Sequence, residues 1–412
     1  MKEKGYEEEV KRLKRNGLLR SLITIQPLHG SRITINGKTY INFSSNDYLG
    51  LSRHPEVIGA AIKALRRYGI GSGASRLLSG TYPPHTRLEE VISRFKKTES
   101  AILFNSGYSA NTGIIPAISG PDTVIFSDEL NHASIIDGIR LSRAEVHVYR
   151  HRDVAHLESL IKRSNKKRLI ITDAVFSMDG DIAPLREMLD IAKRHDCSLM
   201  VDDAHGTGVL GEKGRGAVEH LGIKDKDVIQ MGTLSKAVGC FGGFVAGTSG
   251  LVEFLINKAR SFIYSTSIPP SVIEACIKAI EIIADDSEGL RERLWRNRKR
   301  LYEGLKDLGY DTMDSETQII PILTGGVDET MRLSKHLYRD GIFAPAIRPP
   351  TVPEGKCRIR FSVTSMHTDE DIDRVLESLR KWRGYSNNGL SCYRFIQGTR
   401  KGYSPRLCRK GA

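Results

Sequence analysis

Between residues 100 and 247 short apolar runs alternate with longer stretches of helical period. The runs fall at 101–105, 123–126, 145–149, 169–174, 198–202, 228–231 and 241–246. Runs that are apolar throughout suit strands covered on both faces, so the pattern predicts an α/β fold whose large domain is a mostly parallel seven-stranded sheet between helices. Upstream, residues 31–43 alternate apolar and polar around Asn36-Gly37, which is a β-hairpin signal. The first twenty or so residues are helical in pattern, with Glu7, Glu8 and Glu9 set against Lys11, Arg12, Lys14 and Arg15. Downstream, helices are expected from about 271 to 308, then strands at 317–323, 342–345 and 357–363 with helices at 329–339 and 369–383, a smaller α+β domain. The chain thus divides into an N-terminal helix and hairpin that join the small domain (1–50), a large domain (51–285), a small domain (286–384) and a tail (385–412).

Ligands of parallel sheets bind beyond the carboxyl ends of the strands, and the informative polar residues fall there. They are Ser106-Gly107-Tyr108, Asn131-His132, Ser177, Asp202 with His205, and Thr233 with Lys236. Gly107 and Tyr108 open a predicted helix whose free N–H groups suit a phosphate, and Thr233 offers a hydroxyl. The ring of Tyr108 or His132 suits the face of a planar heterocycle. Asp202 ends the apolar run Leu199-Met200-Val201, where a lone carboxylate is costly and calls for a cationic partner. Lys236, between a hydroxyl and a glycine-rich turn, fits a nucleophilic amine. A Schiff-base lysine, a phosphate cradle and an acid for a pyridine nitrogen together describe pyridoxal 5'-phosphate. Taken singly, Asp202 could cap a turn, Ser177 could be a turn residue, and His132 and His205 could be structural; it is their order at successive strand ends that points to chemistry.

Composition changes this picture little. The 412 residues are 40% hydrophobic and 27% charged, ordinary for a globular enzyme, and no run approaches a membrane span. The formal charge of +13 raises nucleic acid as a partner, but six of the excess cations lie in the acid-free tail (Arg394, Arg400, Lys401, Arg406, Arg409, Lys410). No nucleic-acid or membrane partner is expected, and the tail, with no apolar period, is expected to be disordered. The charged start and the six cysteines without a CxxC pair fit a cytoplasmic protein with reduced thiols and no metal site. Glycine-rich 69–76 lacks GxGxxG spacing and follows a helix, which argues against a dinucleotide loop.

Asp202-Asp203-Ala204-His205-Gly206-Thr207-Gly208, Thr233-Leu234-Ser235-Lys236 and Ser44-Ser45-Asn46-Asp47-Tyr48-Leu49-Gly50-Leu51 resemble the α-oxoamine synthases, over about residues 10–384. These are pyridoxal-phosphate-dependent acyltransferases of the aspartate-aminotransferase fold, fold type I. The resemblance implies that Lys236 bears the cofactor, that Asp202 meets its pyridinium, that His132 stacks on its ring and that His205 bonds its phenolic oxygen. It further implies cofactor contacts from Gly107, Tyr108, Ser177 and Thr233, and from Ser265 or Thr266 across a homodimer interface. Arg20, Asn46, His132, Thr351 and Arg360 match substrate positions, with Arg360 favoured over the more structural Arg358. Residues 263–270 (IYSTSIPP) and 346–355 (AIRPPTVPEG) narrow the expected reaction to condensation of L-alanine with a pimeloyl thioester, on coenzyme A or a carrier protein, in biotin synthesis. The alternatives are a sister activity such as glycine C-acetyltransferase, and a non-catalytic basic binding protein on the same scaffold.

Overall fold

The computed structural model describes residues 3–398, and the side chains of residues 5–383. In chain order the strands are β1 (Gln26–Pro27), β2 (Arg32–Ile35) and β3 (Lys38–Asn42), then β4 (Ser100–Phe104), β5 (Thr123–Asp128), β6 (Glu145–Tyr149), β7 (Lys167–Asp173), β8 (Cys197–Asp202), β9 (Ile229–Thr233) and β10 (Gly243–Gly247). After them come β11 (Ile319–Gly325), β12 (Ile342–Phe343), β13 (Ala346–Ile347) and β14 (Cys357–Ser362).

All seven apolar runs become strands of one sheet, in the order β4-β10-β9-β8-β7-β5-β6. Only β10 runs antiparallel to its neighbours. Successive side chains enter opposite faces: Val124, Phe126, Ile170, Leu199 and Val201 join one core, and Ile125, Leu169, Ile171, Met200 and Met231 join the other. Burial on both faces is why these runs lack alternation. The last strand starts later than its apolar run because residues 239–242 fold back on the lysine turn, with Cys240 N donating to Leu234 O at 2.8 Å and Leu234 N to Gly242 O at 2.9 Å.

The hairpin forms as β2 and β3, and its buried alternate residues Ile33, Ile35 and Tyr40 pack with Tyr338 and Phe343. β3 then pairs in parallel with β12, Ile41 facing Ile342. The single strand expected at 342–345 is instead two. β12 joins the hairpin sheet, and β13 joins β14 and β11 in a separate three-stranded sheet. Pro345, with no N–H to give a ladder, sits at the change of sheet.

The final helix, Asp369–Gly398, runs past Arg383, where its pattern was expected to end; no proline within it interrupts the hydrogen-bond ladder. The expected disordered tail is thus helical over its first part, and its remainder, 399–412, lies outside the described residues. Among the described residues no helix is long and apolar enough to cross a membrane.

Candidate active site

Lys236 lies in the turn after β9, beside the carboxyl ends of β7 and β8. No hydrogen bond or ion pair to a described residue holds its amine. Burial outweighs the nearby charges of Asp202 and Asp173 and pushes its pKa down to about 8. Both aspartates end buried strands and lie directly opposite each other, Asp173 paired with Asp202 across β7 and β8. Asp202 accepts from Asn111 Nδ2 at 2.8 Å and from Ala204 N at 3.0 Å. Burial and then the charge of Asp202 raise the Asp173 carboxyl well above the usual range. It accepts from His132 N at 2.7 Å.

His132 caps the helix Ala133–Ser142, its Nδ1 2.8 Å from Ser134 Oγ. The surrounding protein lowers its pKa, Asp202 opposes the fall and Lys236 adds to it. His205 is buried, and burial, Lys236 and Arg360 push it well below the ordinary imidazole range, so it is neutral. Its Nδ1 lies 2.7 Å from the fully buried Tyr48 hydroxyl. That hydroxyl also lies 3.2 Å from Asn46 Oδ1 and accepts from Arg360 Nη2 at 3.4 Å. Arg360 donates to Asn46 Oδ1 at 3.1 Å, while its buried Nε has no protein partner. Arg358, two residues earlier on β14, is instead committed to Asp179 Oδ1 (2.7 Å) and Met178 O (3.1 Å).

At the other end of the site the helix Gly107–Ile118 starts beside β9 and β10, with Ser106 Oγ capping Ser109 N at 3.0 Å. Gly243 on β10 passes so close that a Cβ there would fall 2.7 Å from Gly107 N, which fixes the strand against the helix start. Thr233 Oγ1 lies 2.7 Å from Ser235 Oγ and donates to Gly242 O at 2.9 Å. Tyr108 is half exposed and its hydroxyl bonds Asp137. Ser177 is half-buried in the loop after β7. Ser265 and Thr266 lie apart from the amine, on a surface segment where Thr266 O accepts from Asn105 Nδ2 at 2.9 Å. Arg20 and Thr351 form an outer cluster, with Arg20 Nη2 2.9 Å from Thr351 Oγ1 and no hydrogen bond to the inner group.

Behind the site, Asp203 and Lys96 make an ion pair of 2.7 Å with neither side chain exposed. Lys96 Nζ also donates to Thr207 Oγ1 (3.1 Å) and Arg215 O (2.5 Å), so the pair binds both ends of the loop that carries His205. Gly216, at φ +104°, lies against Asp203; a Cβ there would come 1.7 Å from its Oδ2. Sequence reasoning gave no role to Asp173, Asn111 or Tyr48. Asp173 carried the same signal as Asp202, an acid ending an apolar run. Tyr48 sits in the Ser44–Leu51 motif and Asn111 in the helix opened by Gly107, but nothing in their spacing announces their partners.

These features fit pyridoxal phosphate. A buried acid without a cation of its own suits a protonated ring nitrogen, and the helix N-terminus with Thr233 and Ser235 suits a phosphate. Asn111 Oδ1 and Arg360 Nε, buried without partners, are the unspent polar capacity of such a pocket.

Comparison with known proteins agrees. Residues 38–379 match the model of the family "Aminotransferase class I and II". The chain is 51% identical to the 8-amino-7-oxononanoate synthase of Citrifermentans bemidjiense, over 92% of this chain and 99% of that one. Its structure is similar to that of a serine palmitoyltransferase variant from S. paucimobilis with bound PLP–myriocin aldimine, at TM-score 0.87 and 33% identity, covering 92% of this chain and 96% of that chain. It is also similar to that of 8-amino-7-oxononanoate synthase from Francisella tularensis, at TM-score 0.74 and 30% identity, covering 84% and 99%. On the match over residues 38–379 and the identity to these relatives over nearly all of the chain, the chain belongs to the class I and II aminotransferase family, among its pyridoxal-phosphate-dependent α-oxoamine synthases.

Proposed function

We propose that the protein condenses L-alanine with a pimeloyl thioester, releasing the thiol and carbon dioxide and giving 8-amino-7-oxononanoate for biotin synthesis. The observation that carries this reading is the 51% identity to an enzyme of that name across nearly the whole of both chains, against 33% for the serine palmitoyltransferase. Pyridoxal phosphate, when bound, supplies an electron sink for the negative charge that develops at the amino acid's Cα. Lys236 would hold the cofactor's carbonyl carbon at rest and, once displaced by the amino acid, would take the Cα proton; its pKa, pushed down to about 8 by burial, makes the proton easier to shed than from an ordinary lysine. Asp202 would keep the ring nitrogen protonated. His205, held at its Nδ1 by Tyr48, would hydrogen-bond the cofactor's phenolic oxygen, and His132 would stack on the ring. Thr233 would meet the phosphate, Gly107 and Tyr108 would help bind the cofactor, and Ser177 would contact it as well. Asn46 and Arg360 take the amino acid's carboxylate. Arg20, with Thr351, suits the free carboxylate at the far end of the pimeloyl chain.

The working form is a dimer with shared sites in this reading. Ile70, Leu78 and Tyr264 are 80%, 81% and 71% exposed, and Tyr264 adjoins Ser265 and Thr266, the residues expected to reach a neighbour's phosphate. Sedimentation at micromolar protein should give twice the chain mass; a monomer would remove that part. A second reading, serine with a long acyl thioester, is favoured by the higher TM-score to the palmitoyltransferase. Mass spectrometry of products from L-alanine, glycine and L-serine, each with pimeloyl-CoA, pimeloyl-carrier protein, acetyl-CoA and palmitoyl-CoA, separates the readings. Product from serine and palmitoyl-CoA but none from alanine and either pimeloyl donor would overturn the first.

A further inference from the structure

His151 follows β6, outside the site, half-buried with Phe176 edge-on to its ring (centroids 4.4 Å apart). Its Nδ1 lies 3.0 Å from Asp128 Oδ1 and its Nε2 2.7 Å from Asp181 Oδ2. Carboxylates only accept, so both ring nitrogens donate, and only the imidazolium carries two N–H groups. The two carboxylates are 1% and 7% exposed. The other charged or titratable groups around the cluster are Glu129, which accepts from His151 N at 2.9 Å, Arg152, 3.3 Å from Asp181 Oδ2, and Glu316, 3.2 Å from Arg152. Tyr149 and Asp173 lie within electrostatic reach of Asp128. Burial alone would lower the pKa of His151, but the hydrogen bonds and charges of Asp128 and Asp181 overcome it and raise it to about 9.

Each carboxylate governs one loop of the site. Asp128 Oδ1 also accepts from Leu130 N at 2.9 Å, and Asp128 O from Asn131 N at 3.2 Å, which shapes the turn that presents His132. Asn131 extends that turn to β7 through Ile171 O and Asp173 N. Asp181 O accepts from Phe176 N at 3.1 Å and closes the loop that carries Ser177. Its Oδ1 is buried without a partner, so the side chain is held only through Oδ2, by His151 and Arg152. We propose that His151, as an imidazolium, is a positioning residue that ties the Ser177 loop to the His132 turn and so sets the separation of the two walls between which the cofactor ring lies. The proposal rests on the pyridoxal-phosphate site and not on the choice of amino acid or acyl donor.

The test uses the full-length apoprotein. Absorbance titration with pyridoxal phosphate at pH 7.5 should show His151→Gln binding about tenfold more weakly, the loss of one charge-assisted bond. Amide exchange in residues 176–181 should be faster in the same variant. Asp181→Asn should match His151→Gln, and the double variant should lose no more than either alone, because all three break one clamp. In wild type, NMR of ¹⁵N-histidine should find both His151 nitrogens protonated at pH 7.5 and titrating near 9. A neutral His151 at pH 7.5 overturns the proposal, whether or not the variant folds. So do cofactor affinity and exchange within twofold of wild type, and fully additive losses in the double variant. None of these readouts involves an acyl substrate, so a failed condensation assay leaves them intact.

Discussion

Asp202 and Asp203 are chain neighbours, both buried; Asp203 is ion-paired to Lys96, Asp202 only lies within electrostatic reach of Lys236, and the two lysines live under opposite conditions. Lys96 gives its three ammonium hydrogens to Asp203, Thr207 and Arg215 O, with no exposure at all. Lys236 is surrounded by protein near two carboxyl groups but has no hydrogen-bond partner among described residues, and burial prevails over the attraction. A buried lysine with every proton taken is a structural brace. One with charge nearby but no acceptor in contact is a nucleophile in waiting.

The largest expected effect lies on the reactive side. Lys236→Ala should cut turnover by at least about 10³-fold with its circular dichroism unchanged. Ordinary activity in that variant would erase the distinction between the two lysines. Lys96→Met should act on the other axis, lowering apoprotein stability by about 3–5 kcal/mol in urea, because Asp203 is left buried without its cation. A loss below about 1 kcal/mol would show the brace to be dispensable.

Asp202→Asn should slow turnover about 10²-fold, since a neutral amide cannot keep the ring nitrogen protonated, with far less effect on the unfolding midpoint than Lys96→Met. The finest contrast is one of sign. The folded-state pKa of Lys236 is depressed from 10.5 to about 8, so folding disfavours its charged form. That penalty is fully present below pH 8 and disappears as pH rises to 10.5, where the unfolded chain also loses the proton. Lys236→Met apoprotein should therefore be more stable than wild type at pH 7, by about 3 kcal/mol, with the gain vanishing between pH 8 and 10.5. Equal pH dependence in the two proteins would mean that the amine is not desolvated.

The large sheet was legible because two-sided burial writes itself as unbroken apolar runs, and strand ends then name their polar residues. Lys236, Asp202 and Thr233 are candidates on that logic, and the structure places them at or just past the ends of β8 and β9. Tyr48, Asn111 and Asp173 are not candidates, because their importance lies in contacts across long stretches of chain, such as Tyr48 with His205 and Asn111 with Asp202. Arg358 and Arg360 share a strand face, and only the partners brought from other loops, Asp179 for one and Asn46 for the other, tell them apart. The division of the 342–347 stretch between two sheets was equally invisible, since edge strands of two residues carry no period of their own.

The parallel pairing of β3 with β12 has a consequence for the chain as it leaves the ribosome. The hairpin emerges well before the strand that covers its outer edge, Ile342–Phe343. All seven strands of the large sheet are made by Gly247, before Ile342 is reached. Vectorial synthesis therefore imposes an order of assembly, with the hairpin's outer edge covered only after the strands of the large sheet have been made. A nascent chain stalled before residue 342 would carry an open β edge, which makes truncated translation products, more than the finished protein, the species prone to strand-to-strand aggregation.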